Sequence, residues 1–432
     1  MNLEKIIVET LKEEVVPAIG CTEPVAVALA CAKAKELIKF EEIDTVKVLV
    51  SPNIYKNGLS VGIPNTDQVG LYIASALGIV GGNSERELEV LKDITKEQVE
   101  KAKALLDSGK VALGIKDTDE KIYIEVNLST NKGTSKAIIK ERHSNFVYLE
   151  SNGEVLLNLQ EGNGESDSKG ENVLYTLKIR DIVRAIEKIP YNDIKFMLDG
   201  LTMNEKVAEE GLKQKKGLGV GFGFHESMKK GILADDLMNC SMMLTAASSD
   251  VRMSGVSMPV MSSNGSGNNG LTAILPIAAY RKKFDVDNEK IARAVAISHI
   301  INSYIKHYIG RLSAICGCGV AAGTGAGAAI AWLMGGNDDQ IDGAIKNMLA
   351  DTSGMICDGA KVGCALKLAT SASAAVQSAL LAVNDNIVPP YNGIIAESVE
   401  ETIRNLNALS TKGMNVTDHV ILDVMKGMQT KA

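Results

Sequence analysis

The chain has 432 residues, of which 45% are hydrophobic and only 4% aromatic, so it is long enough for two or three domains with aliphatic cores and is not a disordered segment. It carries 46 Lys and Arg against 53 Asp and Glu, a net charge of −7, with no long basic run. That balance excludes the usual basic type of nucleic-acid-binding protein.

The N-terminus, Met-Asn-Leu-Glu-Lys, lacks the charged and apolar segments of a secretory signal. The longest apolar stretches are interrupted before they reach the roughly 18 residues that a membrane span requires. We therefore expect a cytoplasmic protein that does not enter a membrane. In that compartment thiols stay reduced, and clustered cysteines more often serve a metal or catalysis than a disulfide.

Apolar residues at helical spacing predict a first amphipathic helix over 3–16, which Pro17 ends. A second apolar helix is expected to run to about residue 39, with Thr22 as its cap and Pro24 in its first turn. Cys21 then precedes a helix N-terminus, where the positive end of the helix dipole lowers the pKa of a thiol. The alternative is a loop thiol without a role.

The next segments predict a strand over 44–50, a loop over 51–58 and an apolar helix over about 68–78. Loops at strand ends often carry ligand contacts, so the polar side chains of this loop are candidates for binding. They are Asn53, Lys56 and Asn57. Ordinary turn chemistry is the alternative for each of them.

A polar helix over 97–107 is followed by short alternating runs over 110–158, which predict an antiparallel sheet. His143 falls at a turn of that sheet and is expected to be solvated. The polar, glycine-rich stretch 161–172 is typical of a linker, and it divides the chain into domains over 1–160 and 173–432.

Beyond the linker the periodicity is helical throughout, which predicts a packed helical domain. The fold class is therefore α+β, with an N-terminal α/β region that carries an antiparallel sheet, followed by a large all-helical domain. The predicted helices are 180–188, 192–214, 235–252, 269–282, 287–305, 318–334, 338–351, 363–384, 396–409 and 416–428.

Two glycine-rich loops interrupt these helices. The loop over 217–225 has a GxGxxG-like spacing, but no strand precedes it, so a dinucleotide site is rejected. The loop over 261–270 opens an apolar helix, whose free N–H groups suit a carboxylate or a phosphate. An ordinary capped turn is the alternative. The candidate side chains of the second loop are Ser263, Asn264, Ser266 and Asn268.

Four of the seven cysteines lie in two short glycine-rich segments, as Cys316-Gly-Cys318 and as the pair Cys357 and Cys364. Thiolates are soft ligands, and small neighbours leave room for a bulky group such as an iron–sulfur cluster. The spacing fits neither the common ferredoxin runs nor the paired knuckles of structural zinc. Buried free thiols therefore remain an alternative.

At these residues the chain resembles the iron–sulfur L-serine dehydratase α-chain-like superfamily and, more closely, its L-cysteine desulfidase branch. The resemblance extends over nearly the whole chain, and the combination of motifs is specific. The matching stretches are Ile19–Pro24 (IGCTEP), Pro259–Gly270 (PVMSSNGSGNNG), Cys316–Gly325 (CGCGVAAGTG) and Met355–Cys364 (MICDGAKVGC).

The resemblance implies one 4Fe–4S cluster per chain, held by three cysteines with one iron free for substrate. The implied ligands are Cys316, Cys357 and Cys364, although Cys318 stays an alternative to Cys316. Cys21 would be the base. The implied reaction is α,β-elimination of L-cysteine without pyridoxal phosphate, which yields pyruvate, ammonia and hydrogen sulfide. Asn53, Lys56, Asn57 and the loop over 262–269 would grip the substrate.

Three other functions stay open. The first is a serine or threonine dehydratase, or a lyase acting on another β-substituted amino acid. The second is a cluster-based redox sensor, and the third is a structural protein with buried thiols. We expect a small amino-acid substrate as the partner, with neither nucleic acid nor membrane, and a homodimer is left open.

Overall fold

A six-stranded sheet in the N-terminal half and a large group of packed helices after it make up the fold. The structure is a computed structural model that describes residues 3–39, 42–159, 173–414 and 416–429. This arrangement confirms the predicted α+β class, with the helical part following the sheet.

The N-terminal half alternates helices with strands before it becomes a continuous run of strands. The helices are α1 (Leu3–Glu14), α2 (Thr22–Glu36), α3 (Pro52–Gly58), α4 (Leu71–Gly81) and α5 (Lys96–Asp107), with a 3-10 turn at Ser84–Glu89. The strands are β1 (Pro17–Ile19), β2 (Ile43–Val50), β3 (Val111–Ile115), β4 (Tyr123–Thr130), β5 (Gly133–Lys140), β6 (Phe146–Ser151) and β7 (Glu154–Asn158).

The large sheet has the strand order β3-β2-β4-β5-β6-β7. β2 and β3 are parallel, because three helices separate them and bring the chain back in the same direction, whereas all other pairs are antiparallel. Val46, Val48 and Val50 alternate inward and pack beneath α2 and α4. The predicted antiparallel sheet is therefore correct from β4 onward, and it has one parallel pair at its edge.

The rest of the described chain is almost entirely helical. Its helices are α6 (Ile179–Lys188), α7 (Tyr191–Ile194), α8 (Met197–Lys213), α9 (Val220–Lys229), α10 (Leu237–Met253), α11 (Gly267–Lys283), α12 (Asn288–Ile309), α13 (Gly323–Leu333), α14 (Asp338–Thr352), α15 (Cys364–Ala382), α16 (Val399–Ala408) and α17 (Thr417–Gln429). The single strand β8 (Pro259–Met261) lies among them, and a π-helical turn at Cys318–Ala322 leads into α13.

Small residues let the central helices approach closely. A Cβ on Gly325 of α13 would lie 2.2 Å from the carbonyl oxygen of Ser298 on α12, so only glycine fits at this crossing. The surrounding core is built from Ile, Leu, Val, Ala and Met, as the low aromatic content predicts. This core fixes the ends of α10, α11, α12 and α15, which carry the site described below.

One helix, α15, is long and apolar enough to cross a membrane by length and composition alone. Its most apolar window is 56% buried against the other helices, which is the usual situation of a core helix. The expectation that every apolar stretch is too short for a span is thus wrong for α15 on length, but its packing explains why it is apolar.

The N-terminal segment lies against the helical half. β1 pairs antiparallel with β8, with Pro17 opposite Met261, and Ile7 and Leu11 of α1 belong to the helical core. Division into domains over 1–160 and 173–432 stays a prediction, and the predicted linker 161–172 lies outside the described residues.

Two segments predicted as loops are helical. Residues 52–58 form α3, which Ser51 caps by accepting a hydrogen bond from the N–H of Ile54. The glycine-rich stretch 217–225 runs into α9, and the carboxylate of Asp250 accepts the free N–H groups of Gly219 and Gly221 there. Its glycines thus serve a helix start and not a nucleotide.

Candidate active site

A cavity of about 300 Å³ lies where α2, α3 and the hairpin between β5 and β6 meet the helical half. It is the place where distant segments of the chain bring most of the predicted functional residues together. The predicted residues that line it are Cys21, Asn53, Lys56, Asn57, Asn264, Ser266, Asn268, Cys316, Cys357 and Cys364, with Cys318 beside them.

Cys21 is the N-cap of α2 and Thr22 is the first residue of the helix, so the cap lies one residue before the predicted cap, Thr22. The thiol does not cap the backbone. It donates a hydrogen bond to Oε2 of Glu23 at 3.0 Å, and Thr22 Oγ1 donates to the same oxygen at 3.1 Å. Pro24 lies in the first turn, as predicted.

The prediction that the helix N-terminus lowers the pKa of Cys21 is wrong in this structure. Burial and the neighbouring Glu23 carboxylate raise the pKa of this thiol well above its ordinary value, whereas Arg252 lowers it. Loss of solvent therefore outweighs the helix dipole here. Cys21 is a thiol that needs help from charged neighbours to become a thiolate.

Glu23 is a cavity residue that the sequence reasoning missed. Its Oε1 accepts a hydrogen bond from Asn57 Nδ2 at 3.0 Å. Burial raises the pKa of Glu23, but the nearby His143 and the Cys21 thiol lower it overall, so the carboxylate is the stable form. An acidic residue in a first helical turn is common, and that pattern concealed its position.

His143 also lines the cavity, although the sequence predicts a solvated turn residue. It does lie in the turn between β5 and β6, but that turn folds against α2. Burial lowers the pKa of His143, and the Glu23 carboxylate opposes that effect. Its Nε2 is buried without a partner among the described residues.

The four clustered cysteines are brought together by a short backbone bridge. Ile315 pairs antiparallel with Ile356, the N–H of Cys316 donates to the carbonyl of Met355 at 2.8 Å, and the N–H of Cys357 donates to the carbonyl of Ala314 at 2.7 Å. This pairing aligns two segments that are about forty residues apart, and it could not be derived from the cysteine spacing.

Cys364 reaches the same cavity from the first position of α15. The loop before it turns at Gly359, which has φ +93°, and a Cβ there would lie 2.3 Å from the carbonyl oxygen of Lys56. A glycine is therefore required both by the backbone angle and by the contact with α3. The loop thus packs directly on the helix that carries Asn53, Lys56 and Asn57.

The thiols of this segment influence one another. A hydrogen bond with Cys318 and burial raise the pKa of Cys316. Burial and Cys316 raise the pKa of Cys357, and burial followed by Cys316 and Cys357 raises the pKa of Cys364 to about 11. Cys316 is thus the member of the first pair whose charge raises the pKa of both Cys357 and Cys364, while Cys318 contacts Ser266 Oγ at 3.7 Å.

Three lysine side chains lie near these thiols. Burial lowers the pKa of Lys306 to about 8, and the charges of Cys318 and Cys357 oppose that shift. Lys56 Nζ donates to the carbonyl oxygen of Cys357 at 2.9 Å, and Lys367 donates to that of Ile356 at 2.7 Å. Lys56 and Lys367 also pair with Asp418 and Asp358, so Lys306, which has no carboxylate partner among the described residues, is the lysine here whose charge can balance thiolates on a bound metal group.

The donor set fits an iron–sulfur cluster better than a single metal ion. Within the described ranges, no three His, Cys, Asp or Glu side chains are close enough to bind one ion. Cys316, Cys357 and Cys364 nevertheless all line one cavity, which suits a group with several metal atoms. They are the residues that would bind such a group.

Two of the predicted binding residues are already engaged. Lys56 forms an ion pair with Asp418 of α17 at 2.5 Å, with side-chain exposures of 1% and 10%, and Asn53 Nδ2 donates to the same carboxylate at 2.8 Å. Asp418 lies 362 residues from Lys56 in sequence, so no local pattern could reveal it. These contacts attach α17 to the wall of the cavity.

We expect Asp418→Ala to cost about 3–5 kcal/mol of stability, because it leaves the buried Lys56 charge without its partner. The thermal unfolding temperature should fall clearly below that of the wild type. Asp423→Ala, on the exposed side of the same helix, should change stability by no more than about 0.5 kcal/mol. Equal unfolding temperatures for both variants would contradict a structural role for this ion pair.

The loop over 262–268 divides between the cavity and the interior. Ser263 is fully buried, and its Oγ contacts Nδ1 of His299 and accepts from Nδ2 of Asn302, both at 2.9 Å. Ser266 instead caps α11, with its Oγ 3.5 Å from the N–H of Asn269. Ser263 therefore supports the loop, whereas Ser266 faces the thiols.

Arg252 is a further cavity residue that the sequence reasoning missed, and Asn269, the last residue of the predicted loop over 262–269, also lines the cavity. Arg252 ends α10, and its Nη1 donates to Asn268 Oδ1 at 3.1 Å while its Nη2 donates to the carbonyl of Gly20 at 2.9 Å. Both side chains are almost fully buried. The sequence does single out Arg252, because it follows a long run of small and apolar residues. A charge at such a position is expected to be buried and therefore to need a partner.

Comparison with known proteins gives a consistent match. The family model described as serine dehydratase alpha chain matches residues 85–423. A UPF0597 protein of Alkaliphilus oremlandii is 63% identical over 430 residues, which cover 99% of this chain and 100% of the relative. A UPF0597 protein of Clostridioides difficile is 56% identical over 97% of this chain and 99% of its own length. A UPF0597 protein of Bacteroides fragilis is 43% identical over 98% and 97%.

The matched range of the family model includes the loop over 262–268 and all four clustered cysteines. It begins after Cys21, Glu23 and the helix α3. The family match therefore covers the four clustered cysteines. Cys21, Glu23 and α3 lie outside the matched range and line the same cavity because of the way the chain folds.

Proposed function

The chain belongs to the serine dehydratase alpha chain family, and from this premise we propose that it is an iron–sulfur lyase that converts L-cysteine to pyruvate, ammonia and hydrogen sulfide. The family supports a lyase of the iron–sulfur type. The choice of L-cysteine rests on the resemblance of four sequence motifs to the desulfidase branch.

One observation carries the proposal. Cys21 packs with Val61 and Met253 in a small apolar group that Cys364 also contacts. The proposed base and a proposed cluster ligand thus lie close together, and both line the same cavity. A small substrate in that cavity would have its α-carbon near Cys21 and its side chain near the clustered cysteines.

A 4Fe–4S cluster bound by Cys316, Cys357 and Cys364 would supply an iron without a protein thiolate, which polarises the substrate sulfur as a Lewis acid. Cys21, as a thiolate, accepts the α-proton. The electrons of the Cα–H bond form the Cα–Cβ double bond, and the Cβ–S bond breaks with its electron pair on sulfur. Water then hydrolyses the released 2-aminoacrylate to pyruvate and ammonia.

The residues around Cys21 control its charge. Since Arg252 favours the thiolate and Glu23 opposes it, a cation that binds at Glu23 would help Cys21 lose its proton. Lys306 lies beside the cysteine segment, where a Cβ on Gly317 would be 3.0 Å from its Nζ. Its positive charge favours the departing thiolate.

We expect the anaerobically reconstituted protein to release hydrogen sulfide and pyruvate in equal amounts from L-cysteine, and little or no pyruvate from L-serine. Both products are measured in the same reaction, with pyruvate followed by a coupled assay. Pyruvate from L-serine alone would replace the proposed substrate by serine. Pyruvate from neither amino acid would contradict the lyase.

The same proposal places the enzyme in the cytoplasm, where thiols that bind a cluster stay reduced. Its partner is a small amino acid, without nucleic acid or membrane. A homodimer stays a prediction that measurement of the mass in solution would test.

A further inference from the structure

Two charged side chains line the cavity without a salt-bridge partner. His143 acts on one of them, Glu23, but burial lowers the pKa of His143 and so favours its neutral form. Glu23 and Arg252 are 7% and 4% exposed. Among the described residues, neither has an oppositely charged group within 4.0 Å. An ion that is buried without a counter-ion is costly, so its retention beside a cavity indicates a charged ligand.

The Glu23 side of the cavity offers acceptors. Its carboxylate receives hydrogen bonds from three neutral donors, which orient it without forming a salt bridge: Cys21, Thr22 and Asn57. The remaining amide oxygen of Asn57, Oδ1, is buried and has no partner among the described residues. A carboxylate and an amide oxygen side by side suit an ammonium group, which has three hydrogens to donate.

The Arg252 side offers donors. Two of its nitrogens are engaged by Asn268 and Gly20, but Nε is buried and unpartnered within the described part of the chain. Both amide atoms of the neighbouring Asn269 are likewise buried without a partner. A guanidinium and an amide with free N–H groups suit a carboxylate.

Gly267 leaves the space that the guanidinium of Arg252 occupies. A Cβ at Gly267 would lie 2.3 Å from Arg252 Nε, so any larger residue at the start of α11 would displace the arginine. The close approach places the charge of Arg252 at the first turn of α11, whose N–H groups favour an anion as well.

We propose that Glu23 and Asn57 bind the α-ammonium group of the substrate, and that Arg252 and Asn269 bind its α-carboxylate. The cavity thereby recognises an α-amino acid as a zwitterion. This inference deepens the proposed function and takes from it only the direction of the substrate side chain toward the cysteine segment.

Cys21 occupies the position that this arrangement requires. Its thiol lies 3.0 Å from Glu23, and it is close enough to Arg252 for the positive charge to act on it. The α-carbon carries both charged groups, so a sulfur between Glu23 and Arg252 faces the α-hydrogen. Lys56 and Asn53, which the sequence predicts as binding residues, are instead engaged by Asp418.

The test is the binding of L-alanine to the anaerobically reconstituted protein, measured by calorimetry, because L-alanine has both charged groups and no β leaving group. Propionate lacks the ammonium group and ethylamine lacks the carboxylate. Each should bind more weakly than L-alanine by roughly tenfold or more. Glu23→Gln and Arg252→Met should each weaken L-alanine by roughly tenfold or more, and Arg252→Lys should retain part of the affinity.

Glu97→Gln and Arg86→Met are matched controls. Both residues form surface ion pairs, with Lys101 and Asp93, and neither lines the cavity, so L-alanine should bind these variants about as tightly as the wild type. Circular dichroism and thermal unfolding of every variant show whether it is folded. L-alanine binding that is undetectable in the wild type, or that Glu23→Gln leaves unchanged in a folded protein, overturns the inference.

Failure of this inference is distinguishable from failure of the proposed function. If L-alanine binds as described but L-cysteine yields no sulfide, the zwitterion site stands and the reaction is wrong. If L-cysteine yields sulfide while Glu23→Gln binds L-alanine normally, the reaction stands and the assignment of these residues is wrong.

Discussion

Cys357→Ala, prepared and reconstituted anaerobically, is expected to lose the broad absorbance near ~400 nm of a cysteine-bound cluster and to release no sulfide from L-cysteine. The thiol at this position is aligned with Cys316 by the backbone bridge between Ile315 and Ile356. The substitution removes one of the three proposed thiolate ligands, and the alanine side chain offers no oxygen or nitrogen donor in its place. Iron content, absorbance and turnover are measured on the same sample.

Cys240→Ala is the matched control for this experiment. Cys240 is buried in the helical core on α10, whereas Cys357 is partly buried, and Cys240 does not line the cavity. The control should keep the iron, the colour and the activity of the wild type. A Cys357→Ala protein with unchanged iron and colour would show that the cluster is bound elsewhere or by other residues.

Cys21→Ala is expected to keep the cluster absorbance while its turnover of L-cysteine falls by about 10²–10⁴-fold, the usual contribution of a general base. We expect the two effects to separate because Cys21 lies at the start of α2, whereas the proposed ligands are Cys316, Cys357 and Cys364. Steady-state rates and the visible spectrum provide the measurement.

Cys31→Ala serves as the comparison, because Cys31 is fully buried within the same helix and does not line the cavity. Burial raises its pKa to about 12, as expected of a packing thiol. It should leave both turnover and colour unchanged. A Cys21→Ala enzyme with wild-type turnover would remove Cys21 from the reaction, whereas loss of colour in that variant would make it a ligand.

The outline of this fold is predictable from local patterns. Hydrophobic periodicity predicts most of the helices to within a few residues, for example 338–351 against the observed Asp338–Thr352. It fails where glycine or a polar run hides a helix. α3 and α9 were both expected as loops, because Pro52 and Gly217–Gly223 are typical of turns, yet Ser51 and Asp250 accept the first free N–H groups and stabilise these helices.

The chemistry of the cavity is less predictable, since it depends on contacts between distant residues. The cysteines were visible as candidates because their residue type is rare and their spacing is tight. Glu23, His143 and Arg252 carry ordinary signals of a helix start, a turn and a helix end. Only the pairing of β1 with β8, and the packing of the β5–β6 hairpin against α2, bring them to one place.

The pKa of Cys21 shows the same limit. A helix N-terminus predicts a lower value, but burial and the adjacent carboxylate determine the outcome. Burial is a property of the folded chain, and the sequence around Cys21 does not contain it. The surrounding residues therefore help to set the charge of Cys21, which depends on the charges of Glu23 and Arg252 and on what binds to them.

The most direct test of the whole account is Mössbauer spectroscopy of protein reconstituted with isotopically enriched iron, recorded before and after rapid mixing with L-cysteine. We expect the spectrum of a 4Fe–4S cluster in which about one iron in four changes when the amino acid is added, because one iron would be free to bind the substrate sulfur. A protein that takes up no cluster under these conditions, or a cluster whose iron sites are all unaffected by L-cysteine, would contradict it.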